Sequence, residues 1–80
     1  MDDAHHILVV DDDRRIRELL KSFLIQNGFL VSVAGTAAEA RERMRGITFD
    51  LLVLDIMMPG ETGLKFTSSM RAQGIGIPVL

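Results

Sequence analysis

Two short apolar runs, each followed directly by aspartate, constrain the fold of this chain most strongly. Residues 7–10 read Ile-Leu-Val-Val and precede Asp11, and residues 51–54 read Leu-Leu-Val-Leu and precede Asp55. Runs that are apolar at every position are typical of strands buried on both faces of a parallel sheet. Because ligands of such sheets bind beyond the carboxyl ends of the strands, we predict that the two acidic segments share one pocket.

The predicted pocket is strongly acidic, because Asp11 is followed by Asp12 and Asp13. Carboxylates held close together repel one another, so the pocket requires a cation or a proton. We therefore predict a site for a hard metal ion, with chemistry on a carboxylate. A simpler interpretation applies to each residue: Asp13 is expected to cap the following helix, and Asp55 alone could serve only a turn after its strand.

The rest of the chain predicts a regular alternation of strands and helices. Predicted strands cover residues 5–10, 30–34 and 50–54, with 79–80 as the start of a fourth, and predicted helices cover residues 14–26, 37–46 and 63–71. The apolar positions expected to face inward are Ile16, Leu19, Leu20, Phe23 and Leu24 in the first helix, Ala37, Ala40 and Met44 in the second, and Leu64, Thr67 and Met70 in the third. This order predicts a parallel α/β sheet with right-handed crossovers and helices on both faces.

Composition excludes several classes of function. The chain of 80 residues contains no cysteine, which rules out disulfides and thiolate metal sites. Its apolar runs are too short to span a membrane, and its N-terminus lacks the pattern of a secretory signal, so we expect a cytoplasmic protein without membrane contact. A net charge of −2 and few aromatic residues argue against direct nucleic acid binding. The arginines of the first two helices are interpreted as solvated: Arg14, Arg15, Arg17, Arg41, Arg43 and Arg45.

Several motifs together closely resemble the receiver domain of bacterial two-component response regulators. They are Ile-Leu-Val-Val-Asp-Asp-Asp at 7–13, Asn-Gly-Phe at 27–29, Asp-Ile-Met-Met-Pro-Gly at 55–60 and Thr-Gly at 62–63. The Met-Met-Pro-Gly-x-x-Gly form is most similar to receivers of the OmpR type, which regulate transcription through an attached winged helix. The resemblance implies the CheY-like, flavodoxin-like, doubly wound parallel sheet of five βα units, with strand order 2-1-3-4-5. Residues 1–80 would then form the N-terminal part of a receiver domain, ending after about three and a half βα units at the start of strand four, without an output domain.

The resemblance also implies a phosphorylation switch. A sensor histidine kinase would supply phosphohistidine, and Asp55 would accept the phosphoryl group in a reaction that the receiver assists, as it assists the later dephosphorylation, without being an enzyme. Asp12 and Asp55 would bind Mg²⁺, Asp11 would orient a metal-bound water, and the backbone carbonyl of Met57 would be a further metal ligand. The Thr or Ser and the Lys that complete the site in this family are expected beyond Leu80.

Two other functions remain open at this point. A receiver fold can serve as an interaction module without phosphorylation. A Mg²⁺-dependent phosphohydrolase would also use a strand-end aspartate, but such enzymes place a second aspartate two residues later, where this chain has Met57. Whatever its function, a partial receiver domain leaves apolar surface and a sheet edge uncovered, which predicts a tendency to form homo-oligomers.

Overall fold

The structure is a computed structural model that describes residues 4–80, and strands and helices alternate along the chain. The strands are β1 (His6–Val10), β2 (Leu30–Ala34) and β3 (Leu51–Leu54), and the helices are α1 (Arg14–Gln26), α2 (Ala37–Gly46) and α3 (Gly63–Ala72). The predicted α/β class is confirmed, and each predicted boundary lies within about one residue of the observed one.

The three strands form a parallel sheet in the order β2-β1-β3. The central strand pairs with β2 from His6–Leu30 to Val10–Ala34 and with β3 from Ile7–Leu51 to Val10–Leu54. Val79 continues the sheet with a parallel bridge to Leu52, and the amide of Leu80 donates to the Leu52 carbonyl at 2.8 Å. The last two residues therefore lie beside β3, as the predicted start of a fourth strand requires.

The main core lies on the face of the sheet that α2 and α3 cover. Leu8, Val10 and Leu52 are fully buried there, because alternate residues of a strand point to the same face. They pack with Ala34, Ala37, Ala40, Phe49, Met58, Phe66 and Met70. The predicted inward residues of α2 are confirmed, since Ala37 and Ala40 are buried and Met44 packs against the same cluster.

The predicted inward faces of α1 and α3 need correction. Every residue of α1 keeps some exposure, and Leu19 and Phe23 are 70% and 60% exposed, so part of its apolar stripe faces solvent. In α3 the predicted inward position of Met70 is confirmed, but Leu64 is exposed and Thr67 is only half-buried, and Gly63 and Phe66 complete the buried face. Gly63 approaches the backbone of Asp55 and Ile56 closely, and in this orientation of α3 Leu64 faces outward. Over residues 4–80, the helices are too short or too polar to cross a membrane.

Candidate functional site

Backbone hydrogen bonds beyond the last strand residues hold both acidic segments at one edge of the sheet. The amide of Asp11 donates to the carbonyl of Ala34 at 3.1 Å, and the amide of Asp55 donates to the carbonyl of Val10 at 2.9 Å. These bonds continue the pairing of β1 with β2 and of β3 with β1 by one residue. Asp11 and Asp55 therefore lie side by side at the carboxyl ends of neighbouring strands.

The loop between β1 and α1 separates the roles of its three aspartates. Asp13 is the N-cap of α1, and its carboxylate accepts hydrogen bonds from the amides of Arg15 at 2.9 Å and Ile16 at 3.4 Å. The amide of Asp13 donates in turn to Oδ1 of Asp11 at 2.8 Å. The predicted capping role of Asp13 is confirmed, and its carboxylate is directed to the helix rather than to the acidic pocket.

Asp11, Asp12 and Asp55 form an acidic cluster, which we call the acidic trio. Each offers one carboxylate oxygen, and these three oxygens lie within 4.8 Å of one another. Asp12 is exposed, whereas Asp11 and Asp55 are half-buried. The pKa of Asp12 is raised by loss of hydration, by a hydrogen bond with Asp55, and by repulsion from Asp55 and Asp11. Three converging carboxylates that repel one another are chemically suited to a hard divalent cation.

The loop from Asp55 to α3 is held tightly at its beginning. The amide of Met57 donates to Oδ1 of Asp55 at 3.1 Å, and the amide of Gly63 donates to the carbonyl of Ile56 at 2.9 Å. Met58 is buried in the core, whereas the Met57 side chain is 79% exposed. The amide of Met57 thus ties this residue to Asp55. The role of the Met57 carbonyl as a metal ligand stays a prediction.

Gly63 allows the first residue of α3 to pack against the backbone of Asp55 and Ile56. A Cβ atom at this position would overlap the carbonyl oxygen of Asp55 and would lie 2.9 Å from the Cα of Ile56. Both contacts are with backbone atoms, which cannot move aside without moving Asp55 itself. The glycine is therefore required by the close approach of α3 to the loop from Asp55 to α3, which we call the acidic loop.

Two arginines interpreted as solvated instead contact the loops around the acidic trio. Arg17 donates from Nη1 to the carbonyl of Asp11 at 2.9 Å, through the space left by the absent side chain of Gly35. Arg41 makes two hydrogen bonds to the carboxylate of Glu61, at 2.6 and 2.7 Å. These two side chains are therefore not merely solvated, because each makes hydrogen bonds to a loop at the edge of the sheet.

Comparison with known proteins assigns the family. A parallel α/β sheet with an acidic trio at the ends of neighbouring strands defines a receiver-like class of protein. Residues 7–80 match the family described as the response regulator receiver domain. The chain therefore belongs to the receiver domain family of response regulators, the signalling proteins of two-component systems.

The relatives identified by sequence are considerably longer than this chain. It is 53% identical over 75 residues to protein PetR of Rhodobacter capsulatus, covering 94% of this chain and 31% of PetR. It is 45% identical over 74 residues to the response regulator MprA of Mycobacterium ulcerans, covering 92% of this chain and 32% of MprA. The chain thus spans about a third of the length of these relatives.

Solved structures confirm the receiver fold. The response regulator TrrA of Thermotoga maritima, in complex with Mg²⁺ and BeF, superimposes with a TM-score of 0.86 at 37% identity, covering 94% of this chain and 65% of TrrA. The receiver domain of the Francisella response regulator 1452 superimposes with a TM-score of 0.89 at 33% identity, covering 94% of this chain and 62% of that one. The predicted CheY-like fold class is therefore confirmed.

Proposed function

We propose that Asp55 accepts a phosphoryl group from the phosphohistidine of a sensor histidine kinase, in a reaction that depends on Mg²⁺. The observation that carries this proposal is the acidic trio, whose three oxygens lie within 4.8 Å of one another at the ends of adjacent strands. A carboxylate at this position is a competent nucleophile toward phosphorus. The half-buried Asp55 is tied by its amide to β1 and by Oδ1 to Met57, so its carboxylate is positioned before the reaction.

The acidic trio would also hold the metal ion. Asp12, Asp55 and the backbone carbonyl of Met57 would bind Mg²⁺ directly, and Asp11 would orient a metal-bound water. When bound, Mg²⁺ supplies positive charge that neutralises the phosphoryl oxygens. The raised pKa of Asp12 supports this assignment, because loss of hydration and repulsion from Asp55 and Asp11 both disfavour its charge, and a divalent cation offsets them. The receiver TrrA, similar to this chain, is described as a complex with Mg²⁺ and BeF.

In the proposed reaction, one bond forms and one breaks. An oxygen of Asp55 forms a bond to phosphorus, and the bond between phosphorus and the imidazole nitrogen breaks, returning its electron pair to the histidine. The product is an acyl phosphate on Asp55 with additional negative charge and three strong acceptor oxygens. The domain therefore acts as a phosphoacceptor that assists its own phosphorylation and dephosphorylation, and not as an enzyme with an external substrate.

The biological setting follows from the same assignment. We infer a cytoplasmic response regulator of the OmpR type, in which residues 1–80 form the N-terminal part of the receiver up to the start of strand four. A DNA-binding output domain would regulate transcription, while this segment itself would contact neither nucleic acid nor membrane. Support comes from the slight negative charge of the chain and from its similarity to the longer proteins PetR and MprA.

The first test is the intact mass of the protein after incubation with Mg²⁺ and a small phosphodonor. We expect the gain of one phosphoryl group, and we expect no gain after Asp55→Asn or with a chelator in place of Mg²⁺. The lack of any gain in a folded protein of natural length would contradict the proposal and favour a receiver fold used only for binding. Turnover of a phosphomonoester would instead indicate a phosphohydrolase, which the exposed, non-ionisable Met57 argues against.

A further inference from the structure

In the loop between Asp55 and α3, residues 59–61 are joined to another element by the side chain of Glu61. Within residues 4–80, the hydrogen bonds that join residues 59–61 to another element are both made by the Glu61 carboxylate, which accepts from Arg41 of α2. The amide of Glu61 donates only locally, to the carbonyl of Pro59 at 3.1 Å. This ion pair therefore connects Glu61 to α2, while the end of the loop is held separately by the bond from the Gly63 amide to the Ile56 carbonyl.

The geometry of the ion pair makes it a rigid connection. Nη1 and Nη2 of Arg41 each bond one oxygen of Glu61, a bidentate arrangement that fixes direction as well as distance. The guanidinium also lies over the ring of Phe66, 4.8 Å from its centroid, and Phe66 is fully buried in the core. A guanidinium stacked on a fully buried ring is held in an orientation that suits its partner.

We propose that the pair Arg41–Glu61, which we call the loop clamp, positions the acidic loop for metal binding and phosphoryl acceptance. This inference rests on the proposed function of the acidic trio. Glu61 lies four residues after Met57 in the loop from Asp55 to α3, so fixing Glu61 restricts the positions that the Met57 carbonyl can adopt. Neither member of the clamp contacts the acidic trio, so both act as positioning residues.

A second ion pair on α2 provides a matched control. Arg45 contacts Glu42 at 2.6 Å, as Arg41 contacts Glu61, but both members of this pair lie on α2 and are largely exposed. Arg45→Met thus removes an arginine and an ion pair of similar length from the same helix without touching the loop. A general effect of charge or helix stability would appear in both variants, whereas an effect on the loop would appear only in Arg41→Met.

The test measures Mg²⁺ affinity by calorimetric titration of the protein at its natural length with MgCl₂. We expect Arg41→Met and Glu61→Gln each to weaken binding about tenfold, at the lower end of the range for residues that support metal ligands. The double variant should bind no more weakly than either single variant, because each change releases the same contact. The two single variants should gain phosphoryl groups from a small phosphodonor more slowly than the unchanged protein at low Mg²⁺, and at nearly the same rate at saturating Mg²⁺. Arg45→Met should leave both quantities unchanged.

The outcomes separate the clamp from the proposed function. If the unchanged protein binds Mg²⁺ and accepts phosphoryl groups while Arg41→Met and Glu61→Gln behave like it, the clamp has no positioning role. Lower resistance to urea without a change in Mg²⁺ affinity would likewise reduce the pair to a structural contact and overturn the inference. If the unchanged protein fails to bind Mg²⁺, the metal site itself is wrong and the inference falls with it.

Discussion

At the scale of single residues, neighbouring aspartates of one loop have opposite consequences for the fold. Asp13 stabilises α1 by accepting hydrogen bonds from its first amides, and such a cap contributes on the order of 1 kcal/mol. Asp12, one residue earlier, faces Asp11 and Asp55, and its raised pKa shows that its charge is unfavourable in the folded state. We therefore expect the charge of Asp12 to oppose folding in the absence of a cation.

Replacement of Asp12 should stabilise the metal-free protein. Because the pKa of Asp12 is raised, the folded state holds a proton that the unfolded state has already released, and stability falls as pH rises through the range just above the ordinary aspartate pKa. Asp12→Asn removes this decline, so the midpoint of thermal unfolding in a chelator should rise at neutral pH and change little at acidic pH. Added Mg²⁺ should stabilise the unchanged protein more than the variant.

Asp50 provides the control with the opposite sign. Its pKa is lowered, mainly because its carboxylate accepts a hydrogen bond from the amide of His6 at 2.8 Å. Its contribution is therefore present above the ordinary aspartate pKa and is lost as pH falls through the lowered value. Asp50→Asn should lower the unfolding midpoint at neutral pH. A lower midpoint for Asp12→Asn as well would show that the carboxylates of the trio do not repel in the folded state.

At the scale of elements, the position of α3 against β3 depends on one glycine. Gly63 begins α3 and brings its backbone against the carbonyl of Asp55, while Phe66 and Met70 of the same helical face enter the core. Thr62 caps the helix by accepting from the amide of Lys65 at 3.2 Å. The helix thus packs directly against the backbone of Asp55, the proposed phosphoacceptor.

A methyl group at position 63 should damage both stability and the site. Gly63→Ala forces backbone atoms apart, and we expect a loss of about 1–3 kcal/mol, as for overpacked cores, measured by urea unfolding. The displaced Asp55 should also accept phosphoryl groups more slowly. Gly46→Ala at the end of α2 is the control, because a Cβ there meets nothing within 4 Å and its stability should be unchanged or slightly higher. Equal stability of the two variants would contradict the close approach of α3.

At the scale of the whole molecule, the two faces of the sheet are covered unequally. The face under α2 and α3 contains the continuous core, whereas α1 leaves Ile16, Leu19 and Phe23 exposed on the other side. On that side an open apolar depression extends along Ile7, Leu24, Phe29 and Leu51. Exposed apolar surfaces of this kind are sites of association in soluble proteins.

This uneven coverage predicts self-association of a chain of residues 1–80. Sedimentation velocity should show a sedimentation coefficient that increases with concentration, because exposed α1 side chains and open sheet edges are buried between copies. Phe23→Glu should shift the equilibrium toward monomers. Ser22→Glu, which adds the same charge to an exposed position beside the stripe, should have a much smaller effect. A monomer at every concentration tested would contradict the prediction.

The acidic trio and the parallel sheet could be predicted from the sequence because both depend on local patterns. Continuous apolar runs indicate buried parallel strands, and the residue that follows each run must lie at the carboxyl edge of the sheet, so a shared acidic pocket could be predicted, while the pairing of β1 with β3 was implied by the resemblance to receiver domains. The N-cap Asp13 was equally local, since its carboxylate accepts from the amide of Arg15 two residues later.

Only the tertiary structure decided which long side chains support the site and which helix faces are buried. Arg41 and Glu61 are 20 residues apart, and their contact depends on the relative rotation of α2 and the acidic loop, which no local periodicity encodes. The same holds for Arg17, whose guanidinium reaches Asp11 through the gap at Gly35. The buried face of α3 was decided by the contact of Gly63 with the backbone of Asp55. Sequence patterns thus specify where each helix and strand begins and ends, while the packing between elements specifies which side chains are buried and which contact the loops of the site.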